Sequence, residues 1–378
     1  MRVALFSGNY NYLREGANQA LNRLAGYLIR NGHQVRVYSP VTDTPAFEPA
    51  GELVPVPSIA LPLRGEFRLA LGLPQEIRED LRRFAPNVAH VSTPDILGSR
   101  AQTFAKRLGV PIVASLHTRF ETYLGYYDLG WARPLAEAHL RRFYRRSDHV
   151  LAPTPGLVAE MKQLRGDGQV TLWSRGVDRE LFDPQRRDPN WRRAQGFADE
   201  DVVLLFFGRL VLEKGVEEFV ATVQALRKSG TKVRPLIVGS GPAKERFELL
   251  GDGVFSGHLE GPELARAVAS ADILLHPSRT EAFGNVVLEA MASGLAIVSA
   301  DTDSSRQLIE HGRTGVLVSA PDADAFGAEI ATLIADPQRR QQLGSEARKA
   351  SARFSWDAAS DSVLAAYRSL LSGRPAPA

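Results

Sequence analysis

The stretch DILLHPSRTEAFGNVVLEAMASGLAIVSA, residues 272–300, decides the fold. Its ends, DILLH (272–276) and LAIVSA (295–300), are short, nearly continuous apolar runs of strand length. Between them a helix opens at FGNVVLE. Strands without polar alternation, separated by helices, belong to a parallel sheet covered on both faces.

The same alternation runs along the whole chain. VALF (3–6) precedes a helical pattern over 17–32 that stops at Gly32, and VRVY (35–38) follows. VAHV (88–91) and PIVAS (111–115) bracket another helical stretch. The series restarts at VVLLFF (202–207) and RPLIVG (234–239). A chain of 378 residues exceeds one compact core. The reading is therefore α/β, with two doubly wound domains. The expected boundaries are 1–173, 174–354, a helix over 355–372 and a disordered tail over 373–378. The polar, proline-containing stretch 174–195 reads as the linker.

Composition narrows the chemistry. There are no cysteines, which excludes disulfides and thiolate metal sites. No apolar run reaches the roughly 18 residues a membrane span needs. The start, MRVALFSG, is a strand pattern without the apolar core of a signal peptide, so a cytoplasmic location is expected. Residues 1–175 carry 22 Lys and Arg against 15 Asp and Glu, or +7. The remainder, with 24 basic and 28 acidic residues, is at −4. A basic half suggests a surface that meets something anionic, unless its arginines only face solvent.

The loop inside the opening stretch suits an anion. First-turn N–H groups of a helix lack internal partners and carry partial positive charge. Gly284 lets a phosphate approach the backbone there. Glu281 stands just before the helix and Glu289 about one and a half turns into it. Two carboxylates so placed can face one ligand from two sides, each bonding vicinal hydroxyls of a ribose or hexose. The alternative is an N-terminal cap at Glu281 and an unrelated charge at Glu289.

FFGRLVLEKG (206–215) supplies a second anion signal: Arg209 and Lys214 follow a strand end ahead of a helix. Two cations there suit a diphosphate. VGSGP (238–242) contributes Gly239 but has Lys244 where the dinucleotide fingerprint needs its third glycine, which disfavours a nicotinamide enzyme.

RTEAFGNVVLEAMASG resembles the Glu-x7-Glu signature of the retaining glycosyltransferases of family 4, and FGRLVLEKG and WSRGVD are similar to segments of that family. Mannosyl- and sulfoquinovosyl-type bacterial lipid glycosyltransferases are the nearest in kind. The resemblance implies the GT-B fold, two Rossmann-like domains facing a central cleft, with the C-terminal helix returning to the N-terminal domain. It implies that Arg209 and Lys214 stabilise a departing diphosphate. It implies too that Glu281 holds the donor sugar, Glu289 the ribose, and backbone groups of Phe283, Gly284, Asn285 and Gly239 the donor. Gly16 is the matching phosphate contact, although the family shows a glycine pair where this chain has Gly16-Ala17. His117, in ASLHTRF, matches the active-site histidine and is expected to position acceptor or sugar; the alternative is a capped or core histidine.

On that resemblance a hexose or hexuronic acid passes from a nucleotide sugar to a lipid or lipid-linked acceptor by same-face attack. A UDP-sugar is placed ahead of GDP-mannose. No cofactor or metal is expected: the two cations and a helix N-terminus can stabilise the leaving group. DTD (301–303) imitates a metal-binding Asp-x-Asp but reads as loop and cap chemistry. Two stretches in the N-terminal half mix basic and apolar residues, as an anionic membrane surface would require. One is Arg64, Phe67 and Arg68 within 61–74, which has no clean helical or strand period. The other is Arg141, Arg142, Arg145 and Arg146, interleaved with Phe143 and Tyr144 and placed by their spacing on one helix side. The expected location is therefore peripheral, on the inner face of the cytoplasmic membrane. The competing readings are a nucleotide-sugar 2-epimerase, a transferase with a soluble or polysaccharide acceptor, and a non-catalytic sensor. No nucleic-acid motif supports a nucleic-acid partner.

Overall fold

Near-continuous apolar strands fold into two parallel sheets because only burial on both faces removes them from water. In the computed structural model, residues 1–12, 16–61, 64–119, 122, 129–319 and 322–372 are described, without the side chains of 61 and 64–67. The tail expected to be disordered, 373–378, lies outside the described residues. The described residues divide into two compact units, 1–176 with 356–372, and 177–355.

The strands of the first unit are β1 (Arg2–Phe6), β2 (Gln34–Ser39), β3 (Glu52–Pro55), β4 (Ser58–Leu61), β5 (Arg64–Ala70), β6 (Val88–Val91), β7 (Ile112–Ser115), β8 (His149–Ala152) and β9 (Val170–Leu172). Its helices before residue 177 are α1 (Gly16–Arg30), α2 (Gln75–Phe84), α3 (Ile96–Arg107), α4 (Arg133–Arg145) and α5 (Pro155–Arg165). The parallel sheet has the order β3-β2-β1-β6-β7-β8-β9. The stretch 61–74, in which the sequence shows no strand period, instead contributes β5, antiparallel to β4 in a separate two-stranded sheet.

The second unit holds β10 (Val203–Phe207), β11 (Arg234–Val238), β12 (Val254–Gly257), β13 (Ile273–His276), β14 (Ala296–Ala300) and β15 (Val316–Val318). Their order is β12-β11-β10-β13-β14-β15. Its helices are α6 (Pro189–Ala194), α7 (Val216–Lys228), α8 (Lys244–Phe247), α9 (Gly261–Ala269), α10 (Asn285–Ala292), α11 (Asp303–Leu308), α12 (Ala323–Ala335) and α13 (Pro337–Ser351). One core, with Val268, Leu288, Met291 and Ala347, covers one face of this sheet. A second core, with Phe219, Val223, Phe326 and Ile330, covers the other. Much of the stretch read as a linker is structured. α6 is tied down by Arg192, whose guanidinium donates to Ser270 O (2.7 Å) and Asp272 Oδ2 (3.1 Å).

The C-terminal helix α14 (Trp356–Ser372) returns to the first unit, as the resemblance implies. Val363, Leu364 and Tyr367 enter the core that Leu24 and Leu28 of α1 share with Val3 and Leu5 of β1. Each such side chain contributes about 1.5–3 kcal/mol by leaving water. At its edge Tyr27 donates to Asp361.

Candidate active site

β13 ends at His276, and residues 277–284 carry the chain to α10. Gly284 is the N-cap, with φ +98°, a conformation that favours glycine. No side chain caps α10 among the described residues, so Glu281 is not its cap. Ser278 Oγ and Thr280 Oγ1 both donate to the Glu213 carbonyl, at 3.0 and 3.1 Å. These two bonds hold the loop against the turn Leu212–Lys214 and bring Lys214 beside Glu281.

Lys214 Nζ lies 2.5 Å from Glu281 Oε1, and His276 Nε2 lies 3.6 Å from the same oxygen. Burial pushes the Glu281 carboxyl up. The Lys214 charge, followed by the His276 ring, outweighs it and holds the group well below the ordinary carboxylate range. Two buried polar atoms at the ends of this loop, His276 Nε2 closing β13 and Asn285 Oδ1 opening α10, have no hydrogen-bond partner among the described residues. An unsatisfied buried polar atom costs about 1–3 kcal/mol, and a bound hydroxyl would remove that cost.

Arg209 stands two residues past the end of β10 and is half-buried, as is Glu289 in the second turn of α10. Gly239 is fixed by packing: a Cβ there would lie 1.9 Å from the Gly208 carbonyl oxygen, so the loops after β10 and β11 meet backbone to backbone. The Phe283 side chain is 4% exposed and packs edge-on against Phe354, which leaves only its backbone for a ligand. In DTD, Asp301 pairs with Arg306 (2.6 Å), and Thr302 caps α11 by accepting from Ser305 N.

In the first unit Gly16 opens α1, and His117 lies two residues past β7. His117 Nδ1 accepts from Arg175 Nη2 at 2.9 Å, and Nε2 bonds Ser115 Oγ at 2.8 Å. Its ring packs edge-on against Trp173, 5.2 Å between centroids. Burial first, then the charge of Arg175, holds His117 well below the ordinary histidine range.

The basic stretches differ from the sequence reading. Phe143 and Tyr144 are buried at 2% and 3%, so they cannot enter a membrane. Because α4 ends at Arg145, Arg146 turns inward and donates to Thr103 Oγ1 (2.9 Å). Arg141, Arg142 and Arg145 remain exposed, and Arg145 Nε donates to Leu164 O (2.8 Å). The exposed apolar groups are instead Trp131 (74%) and Leu135 (69%), at the start of α4. Arg68 donates to Ser58 Oγ (2.9 Å) across the hairpin; Arg64 and Phe67 lie on β5. Ile59 and Leu71 are exposed at that hairpin.

Sequence reasoning missed His276 and Arg175. The first was readable as a polar residue closing an apolar strand, ILLH. The second stands in WSRGVD, a segment whose likeness assigns it no role.

Two family descriptions match consecutive parts of the chain, Glycosyltransferase Family 4 over residues 14–181 and Glycosyl transferases group 1 over 187–350. A GDP-mannose-dependent alpha-mannosyltransferase of Mycolicibacterium smegmatis is 32% identical, over 99% of both chains. An alpha-monoglucosyldiacylglycerol synthase of Acholeplasma laidlawii is 26% identical, over 84% of each. Among solved structures, a sucrose-phosphate synthase from Thermosynechococcus elongatus superposes with a TM-score of 0.79 at 21% identity. That match covers 99% of this chain and 100% of the other, which shows the shared fold.

Proposed function

We propose that this chain, a hexosyltransferase that belongs to the glycosyltransferases of family 4, moves a hexose from a nucleoside-diphosphate sugar to a lipid or lipid-linked acceptor, with retention and without a metal. The observation that carries the reading is the 2.5 Å contact between Lys214 and Glu281. In a nucleotide sugar the β-phosphate oxygen is bonded to the anomeric carbon. A cation for the diphosphate and a carboxylate for the sugar hydroxyls must therefore be neighbours.

The chemistry follows from these groups. Bond cleavage leaves negative charge on the diphosphate, which Lys214, Arg209 and the N-terminus of α10 stabilise. Glu281, kept ionised, accepts from sugar hydroxyls; Asn285 Oδ1 and His276 Nε2 are placed to take further ones. Glu289 bonds the ribose. The acceptor hydroxyl attacks from the face the diphosphate leaves and gives it the proton. The pairing of Asp301 with Arg306 supports reading DTD as loop and cap chemistry.

The name of the diacylglycerol-linked relative supports a lipid acceptor. So does the first unit, where exposed Trp131 and Leu135 accompany Arg141, Arg142 and Arg145 on or beside α4. Apolar groups beside cations suit a peripheral site on an anionic bilayer. Among the described residues no helix is long and apolar enough to cross a membrane. The Mycolicibacterium smegmatis relative is named for GDP-mannose, so UDP-sugars and GDP-mannose are both donors to test.

A thermal-shift panel of UDP, GDP and ADP tests the reading. A ligand at about 100 times its dissociation constant stabilises by about 2.7 kcal/mol. The expected result is a shift with one nucleotide that Lys214→Ala abolishes; no shift with any of the three contradicts it.

A further inference from the structure

The first unit contains a hydrogen-bonded chain of side chains that passes through His117. Arg175, Ser115, His90 and Tyr367 are each 3% exposed or less. Arg175 Nη2 reaches His117 Nδ1 at 2.9 Å, and His117 Nε2 reaches Ser115 Oγ at 2.8 Å. Ser115 Oγ reaches His90 Nε2 at 2.7 Å, and His90 Nδ1 reaches the Tyr367 hydroxyl at 2.5 Å. The chain thus runs from the segment after β9, through β7 and β6, to α14 on the far end.

The imidazole and serine protons of this chain each have one position. A guanidinium only donates, so His117 Nδ1 is an acceptor and its ring is neutral with the proton on Nε2. That proton goes to Ser115 Oγ. The serine hydroxyl has two partners among the described residues and must donate to the other, His90 Nε2. His90 then carries its proton on Nδ1 and donates to Tyr367. The reverse direction at Tyr367 would leave His90 without either proton, an imidazolate.

We propose that Arg175 is a positioning residue for transfer: it fixes His117 as the neutral Nε2–H tautomer, with both ring nitrogens already bonded inside the protein. His117 is then a rigid polar wall and takes no proton from the acceptor. The link to transfer rests on the function proposed above; the tautomer does not.

The setting of Arg175 supports this role. Its Nη1 donates to the carbonyls of Trp173 (2.8 Å) and Ser174 (3.1 Å), and its guanidinium lies 4.8 Å from the Trp173 ring centroid. These contacts fix the Nη1 end and the face of the planar fork, which aims Nη2 toward His117. Burial pushes Arg175 down to about 9 and His90 down to about 3, which leaves the first charged and the second neutral near pH 7.

The test is long-range 1H–15N correlation on the 15N-labelled full chain, with His117 and His90 assigned through His117→Gln and His90→Gln. Wild type should show His117 protonated on Nε2 alone. Arg175→Met should lose that single-tautomer signature, whereas Tyr367→Phe, at the other end of the chain, should keep it. In transfer assays Arg175→Met should lower kcat on the order of 10²-fold with little change in donor KM. A wild-type His117 protonated on Nδ1 overturns the proposal, even if the methionine variant does not fold. So does an unchanged spectrum or unchanged kcat in Arg175→Met. The spectra need no substrate, so wild-type protein inactive with every donor would overturn the proposed reaction and leave the tautomer standing.

Discussion

The Lys214 ammonium lies 2.5 Å from Oε1 of Glu281, although the two residues are 67 positions apart in the chain. Their side chains are 25% and 15% exposed, so water screens the pair only in part. On the proposed function, the contact sets the cation for the diphosphate next to the carboxylate for the sugar. The first prediction is that Arg209→Ala and Lys214→Ala each lower turnover on the order of 10²–10³-fold, far beyond any effect on folding. Steady-state kinetics beside thermal denaturation checks this; near-normal turnover in both variants removes the assignment.

The second prediction concerns acid. The folded Glu281 carboxyl is held below its ordinary value of 4.5. A depressed carboxylate contributes stability that is complete above the unfolded value and is lost as pH falls through the folded one. Lys214→Met removes the main cause of the depression. Thermal scans from about pH 7 to about pH 3 should show a steeper acid limb in wild type than in the variant. Parallel curves would mean that the pair is not formed in solution.

Metal dependence gives the third. In the proposed mechanism Lys214, Arg209 and the α10 N-terminus supply the positive charge the leaving group needs, and Asp301 is paired with Arg306. Transfer should persist in excess chelator. An activity lost on chelation and restored by Mg²⁺ or Mn²⁺ contradicts the role given to the two cations.

The fourth concerns the bilayer. Each basic residue near an anionic surface contributes about 1 kcal/mol. Replacing Arg141, Arg142 and Arg145 by Ser should release the protein from phosphatidylserine vesicles, and Trp131→Ser should weaken docking further, with nucleotide binding intact. Co-sedimentation at low salt reads this. Wild-type protein that stays in the supernatant points to a soluble acceptor.

How far the sequence led differs by element. The strands β1, β2, β6, β10, β13 and β14 are legible because burial on both faces writes them as continuous apolar runs. β5 is not: in RGEFRLA the arginines interrupt any period, and the Arg68 guanidinium finds its bonds at Ser58 across the hairpin. Glu281 and Lys214 are visible as residues of two motifs, yet their contact is set by Ser278 and Thr280 bonding one carbonyl. His90 is hidden inside the apolar strand VAHV, and its partner Tyr367 lies 277 residues away. The exposure of Leu135, against the burial of Phe143 and Tyr144, depends on which side of α4 packs against α3 and α5, and arginine spacing alone did not fix that.

The central claim is that Glu281 and Lys214 grip a nucleotide sugar whose hexose passes to a lipid with its configuration kept. The most direct measurement is the one-bond C1–H1 coupling at the anomeric centre, by NMR, of glycolipid formed from α-linked GDP-mannose or UDP-glucose on vesicles containing diacylglycerol and phosphatidylinositol. The account predicts an α-linked product from wild type and none from Glu281→Gln. A β-linked product, or an equal yield from Glu281→Gln, would contradict it.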